Sequence, residues 1–82
     1  MSALVLFKLN DGRSIIAART VSFDDDTDKV LAESSTLVFI SEEKSESMAL
    51  TEVRECSLLT PRDPVPARAS VYAFAAVTHA VA

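Results

Sequence analysis

The densest chemistry in this sequence lies in one run, Asp24-Asp25-Asp26-Thr27-Asp28, where four carboxylates share five positions. Like charges so close repel, so the run must be solvated or must hold a cation. Asp24, Asp26 and Asp28 have the alternate spacing that opens a twelve-residue calcium loop, and they are the metal candidates. Lys29 stands where that loop takes the glycine of its sharp turn, and Ser35 where it takes a bidentate glutamate, so no metal is assigned. A solvated turn and a cation loop both stay open.

Elsewhere the reactive side chains are sparse. Cys56 is the single cysteine and His79 the single histidine. Together they are too few for a four-ligand zinc site, and no internal disulfide can form. A nucleophile–base–acid constellation could run only through His79, near the last element. One glycine cannot build a phosphate-cradling loop. Neither catalysis nor a cofactor is expected. Cys56 reads as a small core residue and His79 as a helix-capping or solvated side chain. Arg54, with Glu52 and Glu55 nearby, reads as a surface ion-pairing residue or a ligand contact. Arg19 interrupts an apolar strand face, so it either snorkels or meets an acid across an interface.

The elements that must position these groups begin with a hairpin. Ala3 to Leu9 is apolar, Asn10-Asp11-Gly12-Arg13 is a turn, and Arg13 to Phe23 alternates apolar and polar residues. An Asp-Gly pair between two such runs predicts a two-residue β-turn in which Asp11 and Gly12 both take left-handed angles. The acidic loop follows. Lys29 to Ile40 reads as a third long, bent strand, and Ser41 to Ser47 as a polar loop. Met48 to Thr60 reads as a fourth strand region split near Glu55-Cys56. Pro61, Pro64 and Pro66 end strand pairing, because each lacks an N–H donor. From Ala67 to Ala82 alanine is frequent, and Val71, Phe74, Thr78 and Val81 recur at spacings of three and four, which predicts a helix. The competing reading of this tail is a strand with Tyr72 and Phe74 alternating.

A chain of 82 residues is one domain. At that size only about 60% of the unfolded surface is buried, so a lone copy is marginal and oligomerisation is the remedy left open. The net charge of −4 lacks the basic excess that phosphate-neutralising proteins carry. The N-terminal stretch has no basic leader, and no apolar run nears the roughly 20 residues of a membrane span, so a soluble, cytoplasmic protein with no membrane partner is expected.

These elements predict a mainly β fold: a small, strongly bent, five-stranded antiparallel barrel over residues 1–61, a proline-rich linker over 62–66 and a C-terminal helical tail over 67–82. At residue level the first half resembles the Sm-like (Sm/LSm) family of small ring-forming RNA-binding proteins. Val5-Leu6-Phe7-Lys8-Leu9-Asn10-Asp11-Gly12-Arg13 is similar to the opening of that family's first motif, Phe23-Asp24 to its hydrophobic-Asp pair, and Val30-Leu31 to the hydrophobics that follow. Asp28 falls where the motif has Asn. The second motif, a hydrophobic-Arg-Gly, is not matched in full: Val53-Arg54-Glu55 is the nearest candidate, with no glycine after Arg54. The likeness covers about residues 3 to 33.

The resemblance implies an SH3-like barrel whose fourth strand pairs with the fifth strand of the next copy to close a homo-oligomeric ring. It implies single-stranded, U-rich RNA at the pore, with Thr27 in the stacking place, Asp28 in the base-edge place and Arg54 in the Arg place. An ionised Asp28 accepts hydrogen bonds but cannot donate them as Asn does. The alternative expectation is a structural or adaptor oligomer, for example of phage type, built on the same barrel without a nucleic-acid role. A cation-binding module using Asp24, Asp26 and Asp28 is the third.

Overall fold

The computed structural model describes residues 2–20 and 35–79. Six strands form one sheet: β1 Ser2–Leu9, β2 Ser14–Thr20, β3 Ser35–Ile40, β4 Ser45–Ala49, β5 Val53–Leu58 and β6 Ser70–His79, with a 3-10 turn at Leu50–Glu52. Their order across the sheet is β4-β3-β6-β2-β1-β5. Every neighbouring pair is antiparallel except β2 and β6, which run parallel. The expected mainly β, curled architecture is present. The expected five strands are six, and the all-antiparallel sheet is mixed.

The curl follows from connectivity. β4 and β5 are opposite edges of the sheet, yet only Leu50–Glu52 separates them in the chain. Six flat strands would hold their outer members about 24 Å apart. A link this short spans about 14 Å at full stretch. The sheet therefore bends into a half-barrel, and the 3-10 turn forms its corner. Asn10 fastens that corner: its N–H donates to the Glu52 carbonyl (2.9 Å) and its side-chain Nδ2 to the Thr51 carbonyl (2.8 Å). This places the break between the last two strands of the barrel at Leu50–Glu52 and not at the expected Glu55-Cys56. Leu50 is half-buried against the core there, while Thr51 and Glu52 face solvent. β4 also starts earlier than its polar composition predicts, because only its alternate residues turn inward.

The first turn differs from the expected two-residue form. Leu9 N–H donates to the Arg13 carbonyl (2.9 Å) and Gly12 N–H to the Leu9 carbonyl (3.1 Å), so three residues make the loop. Only Gly12 has a positive φ, +94°, and Asp11 keeps an ordinary backbone. Asp11 contributes through its side chain instead, with Oδ1 accepting from the Arg13 N–H at 2.9 Å. A three-residue loop ending in a left-handed glycine is a common hairpin connection beside the two-residue turn.

β6 is the largest correction. Residues 70–79 are a strand in the middle of the sheet, not part of a terminal helix. Val71, Tyr72, Phe74, Val77 and Thr78 are β-branched or aromatic, and they pack well on a pleated surface. The alanines between them favour a helix only weakly, and pairing with β2 on one side and β3 on the other outweighs that preference. A register shift opposite Ile16–Ala18 adds a residue to β6, so Tyr72 and Ala75 both face the core while Phe74 is turned out.

The core lies on the concave side. Val5, Phe7, Leu9, Ile15, Ala17, Leu37, Phe39, Tyr72 and Ala75 fill it, with Met48, Leu50, Val53 and Val77 around the rim. Phe7 meets Phe39 edge-on (centroids 5.1 Å, 79°), and Phe39 lies against Tyr72 at 5.5 Å. Such pairs add to the burial of area alone. From β5 to β6 the chain crosses the convex side. Thr60 to Asp63 is a turn with Pro61 at its second position, where a fixed φ suits it. The Asp63 carboxylate accepts from the Thr60 N–H and hydroxyl, each at 2.8 Å. Those bonds hold the carboxyl below its ordinary pKa, the backbone donor contributing most. The expected absence of strand over the prolines holds.

Candidate functional site

The expected residues distribute unevenly over the described structure. Phe23, Asp24, Asp26, Thr27 and Asp28 lie outside the described residues. Arg54 is exposed near the start of β5, at the register irregularity opposite Lys8 and Leu9. Asp11 and Gly12 are in the first turn, where their part is to shape the backbone. Arg19 continues the inward register of Ile15 and Ala17 at the end of β2 and is half-buried. His79 closes β6 opposite Ser35, so no helix end is there for it to cap. Cys56 is not the core residue expected. It stands opposite the buried Phe7, but β5 is an edge strand and leaves the thiol exposed. Among the described residues no three acidic, His or Cys side chains gather to hold a metal. No helix there is long and apolar enough to cross a membrane.

The structure assembles a polar cluster that the spacing of residues in the chain does not suggest. Glu46 occupies an inward position on β4, opposite Phe39. Arg13, just after the first turn, grips it with two bonds, Nη1 to Oε1 at 2.8 Å and Nη2 to Oε2 at 2.9 Å. The Tyr72 hydroxyl of β6 donates to Oε2 at 2.8 Å. Lys44 sits over the Tyr72 ring, its Nζ 4.6 Å from the centroid. Three segments distant in sequence thus meet at one carboxylate.

Electrostatics tell what this cluster can do. The Arg13 hydrogen bonds, then that of Tyr72, hold the Glu46 carboxyl below its ordinary pKa, against a smaller opposing effect of burial. The Tyr72 phenol is raised, first by donating to that carboxylate. A carboxylate so saturated with donors is a poor proton acceptor near neutral pH, and a phenol raised in this way stays protonated. The arrangement is a clamp: it ties the edge strand β4 to the first turn and to β6. The bidentate fork makes it directional. The alternation of Glu46 with Met48 was the available signal for an inward-facing acid.

The two edges are the other distinctive region. Among the described residues β4 pairs only with β3 and β5 only with β1. Each carries backbone groups that no neighbouring strand takes up. Arg54 to Leu58 are all exposed, Leu58 at 59%, although Cys56 and Leu58 stand opposite the buried Phe7 and Val5. Beside this edge, under the proline crossover, is an open groove of about 470 Å³ lined by Leu6, Leu58, Leu59, Val65 and Pro66. Comparison with known proteins finds no matching family model, no matching curated protein and no matching solved structure.

Proposed function

We propose that this chain is a non-catalytic assembly module whose copies join head to tail, the β4 edge of one meeting the β5 edge of the next. The observation that carries this is the position of those two strands. They are the sheet's two borders among the described residues, despite the additional strand in its middle. They are also the two strands through which the Sm-like family, which the first half resembles, closes its rings. A head-to-tail contact leaves no border unpaired if the rotation closes, and it covers the exposed Leu58. It also supplies burial that so short a chain lacks. Self-association of this kind suits a structural or adaptor oligomer.

Against it stand Glu46, Arg54 and Glu55, since charges on short edge strands also keep monomers apart. Native mass spectrometry decides. A defined multiple of the chain mass at micromolar concentration is the expected result, and a monomer at every accessible concentration overturns the proposal. Leu58→Lys sharpens it. An exposed position in a monomer tolerates lysine within about 0.5 kcal/mol, whereas in a head-to-tail edge the same change breaks the oligomer.

A second reading is single-stranded RNA binding on such an oligomer, with Thr27, Asp28 and Arg54 as its contacts. The exposed position of Arg54, two residues past the corner turn that follows β4, favours it. Titration with labelled oligo-U and oligo-A at stated salt is the test. Tighter binding of oligo-U supports base readout, and no binding at low salt excludes it.

A further inference from the structure

β6 divides two strands that would otherwise be partners. β2 is parallel to β6 and β3 antiparallel to it, so β2 and β3 are antiparallel to each other, and they are consecutive among the described strands. Take β6 away and the remaining order, β4-β3-β2-β1-β5, is that of a four-stranded meander, β1 to β4, with β5 added beside β1. β6 thus occupies a slot that the rest of the sheet can close by itself. The chain reaches this slot from β5 through the crossover over residues 59–69. Among the described residues, the crossover's backbone hydrogen bonds are one from the Leu59 N–H to the Leu4 carbonyl, then two inside the crossover itself, Asp63 to Thr60 and Ala69 to Pro66. Two of its three prolines, Pro61 and Pro66, sit in short turns of the crossover's own.

We propose that copies of this chain exchange β6, the strand of one filling the slot between β2 and β3 of another. All of β6's contacts, Tyr72 and Ala75 in the core and the ladders to β2 and β3, are the same whichever chain supplies the strand. The closed and exchanged forms differ only along the crossover, and exchange of an identical element is a low-cost route to an oligomer. Two features ease the opening. β2–β6 is the sheet's single parallel ladder, interrupted by a register shift, and parallel pairing is the weaker kind. An emptied slot also has β2–β3 pairing available in place of exposed edges. This exchange is separate from the β4–β5 contact, and the two are distinguishable.

Val38 and Ala76 stand directly opposite each other on β3 and β6, a separation that a disulfide spans. One chain carries Cys56→Ser with Val38→Cys, a second Cys56→Ser with Ala76→Cys, and the two are refolded together and oxidised. The expected product is a disulfide-linked heterodimer, absent when either chain is oxidised alone. Thr36→Cys with Thr78→Cys, the next pair on the same face of that ladder, repeats the test should the first pair disturb folding. Folded, oxidised mixtures of both pairs without heterodimer overturn strand exchange. If native mass spectrometry still finds oligomers in that case, the edge-to-edge proposal stands alone. If it finds only monomers, both fall.

Discussion

The β1–β2 hairpin is held by contacts between residues close in the chain, from Lys8 opposite Ser14 out to Ser2 opposite Thr20, closed by one turn. β6 finds both its neighbours far away: Phe74 lies opposite Ala18 on one side and Ile40 on the other. The hairpin can form early and locally, since short loops cost little entropy to close. β6 can take its place only once β2 and β3 exist to flank it. The hairpin is a strand pair by its own composition, and β6 is a strand because of where it is inserted.

The largest test of that contrast compares two phenylalanines. Phe7 on β1 is 1% exposed and packs edge-on against Phe39, so Phe7→Ala should cost about 3–5 kcal/mol by chemical denaturation. Phe74 on β6 is 46% exposed on the convex face, and Phe74→Ala should cost less than about 1 kcal/mol in the same assay. Equal losses at the two sites would mean that the convex face is covered in solution and would break the comparison.

The turn of the hairpin comes next. A Cβ at Gly12 would meet nothing within 4 Å, so only the backbone angle opposes a side chain there. Gly12→Ala should therefore cost about 1 kcal/mol through φ alone, measured by thermal or urea unfolding. A cost near zero would show that the turn relaxes to another type and that the hairpin's register is less local than its hydrogen bonds imply.

The same contrast explains what could be read from the residues. The hairpin was legible because Asp11-Gly12 and the alternation of Ile15, Ala17 and Val21 are local signals. The form of the turn was not, because a third residue, Asn10, is drawn into the loop while bonding Thr51 and Glu52 more than 40 positions away. β6 read as a helix because Ala73, Ala75 and Ala76 weigh toward one, and Val71, Phe74 and Thr78 happen to share a helical face. Nothing near them announces the slot. The Glu46 clamp was hidden for the same reason: Arg13, Glu46 and Tyr72 become neighbours only after the sheet has curled.

That clamp joins the two regions, and pH probes it. The Glu46 carboxyl is held below its ordinary value in the folded protein. Its contribution is therefore complete above the ordinary carboxylate range, near pH 4.3, and is lost as pH falls through the lower folded value. Arg13 is 47% exposed at its side chain, so screening keeps the pair modest. A double-mutant cycle with Arg13→Ala and Glu46→Ala should return about 0.5–1 kcal/mol at neutral pH. In Glu46→Gln the acid-side loss of stability should become shallower, and an unchanged slope would mean that other carboxylates carry it.

The smallest effect has the most telling sign. Ala76 is half-buried on the convex side of β6, opposite Val38. In a helix, Ala76→Thr would remove a good former and cost about half a kcal/mol. In a central strand threonine's branched side chain packs beside Val38, and the same change should add a few tenths of a kcal/mol. Urea midpoints measured at constant slope resolve a difference of this size. A loss of stability at this position would count against β6 as a strand in solution, and with it against the slot between β2 and β3.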